Sequence, residues 1–106
     1  MGEKRLTMMD GTSDERVTFD FRGAEFEASR TAFLSARVQR GLAVAGDMAP
    51  ASQRMAYEAM DAVCCGRLDE YMGRIPEEDG ALGPYGCSNE AFGAFMAAAG
   101  EAISKN

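Results

Sequence analysis

The sequence predicts an α+β domain, mainly helical, in which an N-terminal β-hairpin packs on a small bundle of about four helices. Three observations predict it. Two short segments near the start alternate apolar and polar residues about an Arg22-Gly23 pair. Further along, apolar residues recur at three- and four-residue spacing in successive segments separated by glycine, proline and serine. The whole chain has 106 residues, 46% of them apolar and 26% charged, which is one domain's worth with a modest core.

Residues 1–15 carry no periodicity and read as a flexible tail; residues 16–104 read as a single globular domain, and 105–106 as a short C-terminal tail. In the hairpin, Val17, Phe19, Phe21, Ala24, Phe26 and Ala28 share one face, and Thr18, Asp20, Glu25 and Glu27 share the other. Gly23 supplies the positive φ of a tight turn. Two strands alone are marginal in water, so the apolar face must be covered by helices or by a partner.

Ser29 is placed to cap the first helix, expected from Arg30 to about Ala45. Leu34, Val38 and Leu42 form its stripe, flanked by Phe33 and Ala45, and Gly41 weakens it by roughly 1 kcal/mol relative to alanine. Gly46-Asp47 ends it. A second helix begins near Ala49 or Pro50, with Asp47 as candidate cap and Met55, Ala56, Ala59, Met60 and Val63 as its stripe. Gly66 suits the left-handed position after it. Leu68, Tyr71, Met72 and Ile75 mark a short third helix that Pro76 stops. Residues 77–87 hold Gly80, Gly83, Pro84 and Gly86 and form a long loop. Ser88 then caps a last helix with Phe92, Phe95, Met96, Ala99 and Ile103 on one side.

Charge and composition exclude several functions. The net charge of −6, from 17 acidic and 11 basic residues, repels a phosphate backbone and anionic lipid. The basic residues Arg22, Arg30, Arg37, Arg40, Arg54, Arg67 and Arg74 stand singly, with no basic stripe on any predicted element. No apolar run is long enough to span a membrane, and Met1 to Arg16 lack the apolar stretch of a secretory signal. The expected location is the cytoplasm, with neither nucleic acid nor membrane as partner.

The chain has no histidine, the commonest general base and metal ligand. Cys64 and Cys65 are adjacent, so on a helix they diverge by about 100° and cannot clamp one ion together. Lying near a helix C-terminus, they lack the field that stabilises a thiolate; burial suits Cys64 and partial exposure Cys65. Cys87, ahead of a helix, has a weak claim to a lowered pKa. Glu77-Glu78-Asp79 with Gly80 lacks the alternating ligands of a calcium loop and is better read as solvated. Asp69 and Glu70, or Glu25 and Glu27, are likewise solvated carboxylates. The glycines at 80–86 do not spell a phosphate loop, and Ser29, Ser35, Ser52 and Ser88 lack the setting of a carrier-protein serine. No catalytic residue, metal or cofactor is expected.

Met48, Met55, Met60, Met72 and Met96 fall on the apolar stripes. Core filling is the first account of them, and an adaptable surface for helical targets the second. As a partner-binding set the sequence offers Phe19, Phe21, Phe26, Met55, Met60, Met72, Phe92, Phe95 and Met96.

The order of these elements resembles a known family. A hairpin reading VTFDFRGAEFEASR (17–30) is followed by helical segments, then by MDAVCCGRLDEYMGRI (60–75), an acidic glycine-containing loop, and a last helix FGAFMAAAGEAISKN (92–106). Across residues 17–106 this is similar to the tail assembly chaperones of long-tailed bacteriophages and prophages. The FRGAEFE phrase, the helix-loop-short helix ending LDEYMGRI, and the Phe-rich last helix with its Lys-Asn end carry the similarity. The resemblance implies a non-enzymatic protein in the host cytoplasm that binds the tape measure protein, a long helical polypeptide. It would keep that chain soluble until tail tube subunits polymerise around it, and then be absent from the finished virion. It also implies that a longer frameshifted form is often made beside the short one. The tail tube protein is a second partner on this reading, and a homo-oligomer is compatible with it. Two other readings stay open: a small intracellular adaptor or antitoxin-like inhibitor using the same apolar face, and a small enzyme or metal protein.

Overall fold

A computed structural model describes residues 14–105. The order is β1 (Arg16–Phe21), β2 (Ala24–Ser29), α1 (Arg30–Phe33), α2 (Ala36–Ala43), α3 (Pro50–Val63), α4 (Leu68–Arg74) and α5 (Asn89–Lys105). A hairpin followed by helices makes this the mainly helical α+β domain that the sequence predicts. Residues 1–13 of the predicted tail at 1–15 and the final Asn106 lie outside the described residues.

The strands pair antiparallel, Val17 opposite Ala28, Phe19 opposite Phe26 and Phe21 opposite Ala24. This register puts all the apolar side chains on one face, because side chains alternate along a strand. Both turn residues have positive φ, +52° at Arg22 and +87° at Gly23, the backbone of a two-residue turn whose twist matches the strands. Arginine at such a position is uncommon. Its side chain is held from two sides: the guanidinium lies 4.8 Å from the Phe21 ring centre and donates to the Pro76 carbonyl at 3.0 Å.

In such a hairpin Phe21 and Ala24 close the turn, so Glu25 and Glu27 turn their backbone groups away from β1. Helix α4 meets them. The Tyr71 hydroxyl accepts from the Glu27 N–H at 3.2 Å and donates to the Glu27 carbonyl at 2.8 Å. Arg74 donates to the Glu25 carbonyl at 3.3 Å and lies over the Phe26 ring at 4.5 Å.

The chain enters the domain earlier than its sequence suggests. Asp14 accepts from the Ser29 hydroxyl at 2.7 Å, and the Glu15 carbonyl accepts from the Arg30 N–H at 2.8 Å. Asp14 and Glu15 therefore belong to the domain and not to the tail. At the other end α5 runs on to Lys105, one residue past the expected boundary.

The helix expected from Arg30 to about Ala45 is two helices. Ser29 caps α1 as anticipated, accepting from the Ala32 N–H at 3.0 Å. A second serine then interrupts it: Ser35 is extended, φ −70° and ψ 134°, and accepts from the Val38 N–H to start α2. A hydroxyl that can bond the backbone locally competes with helix continuation, and here it wins. Leu34 lies in the break and is exposed instead of facing the core.

Gly41 also differs from expectation. It is buried where α2 crosses α3, and a Cβ there would stand 2.7 Å from the Ala59 Cβ and 2.8 Å from the Met55 carbonyl oxygen. The weakening residue of α2 is what lets the two helices touch.

Helix α3 begins at Pro50, and Asp47 braces the turn before it by accepting from the Ala49 N–H and the Ser52 hydroxyl. At the far end the Gly66 N–H bonds the Asp61 carbonyl and the Cys65 N–H bonds the Ala62 carbonyl. These are the two bonds of a Schellman ending. Its first left-handed residue is Cys65, φ +60°, followed by Gly66 at +76°. The Asp61 side chain then accepts from the Leu68 N–H at 3.0 Å and so opens α4 from a neighbouring helix.

Buried side chains form two groups. Phe21, Phe26, Cys64, Leu68, Tyr71, Ile75, Ala91 and Phe95 make one between the hairpin, α4 and α5. Ala28, Val38, Ala59, Val63, Ala99 and Ile103 make the other between the hairpin, α2, α3 and α5.

Candidate functional site

The residues that the sequence nominates for partner binding divide sharply. Phe21, Phe26 and Phe95 are inside, the last two only 2% and 1% exposed. Phe95 is the hub: its ring centre lies 4.8 to 6.3 Å from those of Phe19, Phe21, Phe26, Tyr71 and Phe92. Together these rings hold the hairpin to α4 and α5, and Phe21, Phe26, Tyr71 and Phe95 present almost no surface to a partner. Phe19, Met60, Met72, Phe92 and Met96 are half-buried against the same packing. Only Met55, at 39%, is an exposed member of the set. The burial has a simple cause: a two-stranded sheet has one apolar face, and this protein covers it with its own helices.

The chemistry-bearing groups are quiet. Cys64 is 1% exposed, and burial pushes its thiol up to about 12. Burial also raises Cys65 and Cys87, so the weak claim of Cys87 to a lowered pKa is overturned. Position ahead of a helix does not help a thiol whose burial disfavours the anion and whose nearest charge is the Glu77 carboxylate. No group of three acidic or cysteine side chains could hold a metal ion among the described residues.

The acidic loop is a structural turn. Glu77 accepts from both the N–H and the hydroxyl of Ser88 at 2.7 Å, which lowers its pKa, and Asp79 accepts from the Ala81 N–H. Ser88 in turn accepts from the Ala91 N–H at 3.1 Å and caps α5 as predicted. Among the described residues no helix is long and apolar enough to cross a membrane.

One surface stands apart. Between α2 and α3 lies a groove of about 690 Å³. Val38 and Ala59 form its floor, Met55 stands half-exposed in it, and Arg37, Arg40 and Arg54 surround it together with Glu58. The sequence treats these arginines as isolated charges; the crossing of the two helices brings them together. The signal for them is the spacing of Arg37 and Arg40 about Val38, which puts two cations beside one buried apolar position.

Elsewhere the arginines are engaged. Arg16 pairs with Asp14 and Glu27, Arg30 with Glu15, and Arg67 and Arg74 with Glu70, while Arg22 is bonded at the turn. The side chains of Arg37, Arg40 and Arg54 make no hydrogen bond or ion pair among the described residues, although Glu58 lines the same groove. Three cations against one carboxylate leave this groove positive in a protein of net charge −6. Comparison with protein-family models, with curated proteins and with solved structures finds no match.

Proposed function

We propose that this protein is a non-enzymatic, protein-binding chaperone of phage tail assembly, which holds the helical tape measure protein in solution until tail tube subunits polymerise around it. The reading rests on the resemblance of residues 17–106 to that family, and the observation that carries it in the fold is the groove between α2 and α3. An apolar floor open between two helices suits an amphipathic helix laid into it, the recognition mode expected for a long helical client. The half-exposed Met55 favours adaptability, since an unbranched thioether can repack against different partner side chains. The acidic balance of the whole chain keeps such a complex soluble. On this reading the protein works in the host cytoplasm and needs no cofactor.

Co-expression with a tape measure gene from the same genome tests the proposal. The expected outcome is a soluble tape measure protein that co-purifies with this chain. An insoluble tape measure protein and no complex would refute it. A stoichiometric complex with a toxin or enzyme from the same operon would reassign the chain as an adaptor or inhibitor.

A further inference from the structure

We propose that the groove between α2 and α3 is a seat for one kind of helix, an amphipathic helix whose apolar stripe is flanked by glutamate or aspartate. This deepens the reading above and rests on it.

The floor sets the apolar part. Because Gly41 lets α2 lie against Ala59 and the Met55 backbone, the helices meet without a large side chain between them. The surface beside that crossing is made of Val38, Ala59 and the half-exposed Met55. Small side chains on a floor leave room for large ones from a partner, and leucine-sized residues three and four apart would fill it.

The walls set the shape of the occupant. Both are helices, whose mid-helix backbone groups are already bonded, so the groove has no free strand edge to pair with. A segment entering it must satisfy its own backbone, as a helix does.

The rim sets the charge. Arg37 and Arg40 on α2 and Arg54 on α3 stand around one apolar strip. Their side chains are left without partners among the described residues, in a chain that pairs Arg16, Arg30, Arg67 and Arg74 with carboxylates. A guanidinium presents its donors in a planar fork that matches a carboxylate. Complementary charge of this kind selects between partners, because like charges set face to face are penalised. A nucleic acid meets the net charge of −6 on approach and offers no apolar stripe to the floor.

Two labelled peptides of about five helical turns test the inference. Both carry leucine on one stripe; one has glutamate on the flanks and its twin has lysine at the same positions. Fluorescence anisotropy against the full chain should show the glutamate peptide binding at least about tenfold tighter than the lysine twin, and weakening as salt rises from about 50 mM to about 300 mM. In Arg40→Glu with Arg54→Glu the preference should reverse. In Met55→Asp both peptides should bind less well. Circular dichroism checks that each variant keeps its helices, as expected for exposed positions.

Equal binding of the two peptides, binding of neither, or an unchanged preference in the arginine variant would overturn the inference. So would self-association that excludes the peptide, which would give the groove to a second copy, or displacement of the peptide by a duplex oligonucleotide. The two readings fail separately. If the tape measure protein co-purifies equally with the wild type and the arginine variant, the chaperone function stands and this seat falls. If the glutamate peptide binds as described and no tape measure complex forms, the seat stands and the client is another acidic helix.

Discussion

Under the turn end of the hairpin the core is built around rings, and under its open end around short aliphatic side chains. Phe21, Phe26, Tyr71 and Phe95 fill the space under α4 and α5. Ala28, Val38, Ala59, Val63, Ala99 and Ile103 fill the space under α2 and α3. The difference has consequences for the surface. Rings meeting edge to face around Phe95 close the centre of their half, and Phe21, Phe26 and Phe95 are used up inside it. Small side chains bring backbones close but fill less volume. They leave helices α2 and α3 in contact at Gly41 and open beside it, with Met55 and three arginines at the opening. The division predicts that stability is concentrated in the first half, while the groove lies in the second.

Three substitutions test that division, and urea denaturation followed by circular dichroism reads each. Phe95→Ala removes the hub and should cost about 3–5 kcal/mol, a large part of the stability of a domain this size. A cost below about 1 kcal/mol would mean that the rings are not the main support. Gly41→Ala comes next. On propensity alone alanine should stabilise α2 by about 1 kcal/mol. The added methyl group meets the Ala59 Cβ and the Met55 backbone, neither of which can rotate away, so the expected net result is a loss of about 1–2 kcal/mol. An increase in stability would show that α2 and α3 can separate freely. Tyr71→Phe has the smallest expected effect. It keeps the ring and deletes the hydroxyl that serves both backbone groups of Glu27, and the loss should be about 1 kcal/mol because that site is only partly buried.

The sequence made the hairpin legible in detail, because strict alternation about Arg22-Gly23 fixes both the register and the turn. The caps at Ser29 and Ser88, the stop at Pro76 and the burial of Cys64 were legible for similar local reasons. Other features depend on choices that local pattern leaves open. Leu34, Val38 and Leu42 have the spacing of one helix, and only the Ser35 hydroxyl decides that the chain breaks between them. Gly41 reads as a flaw in a helix until the partner helix is known. Gly66 takes the left-handed place that it invites, and Cys65 before it does so too, because the helix ends one residue earlier.

The candidate site was the least legible part. An apolar stripe looks the same whether its cover is the protein itself or another chain, so the phenylalanines were natural nominees, and Phe21, Phe26 and Phe95 lie in the core. The arginines lie on two helices and become neighbours only through the crossing that Gly41 permits.

The bonds from α4 to β2 bear on how this protein behaves in company. A free strand edge is a template on which other chains can add, and a two-stranded sheet has little else to protect it. Tyr71 occupies both outward-facing groups of Glu27, and Arg74 the carbonyl of Glu25, so most of the β2 edge is already spoken for. A protein proposed to work among subunits on the point of polymerising thus carries a sheet edge that gives a neighbouring strand little to propagate from.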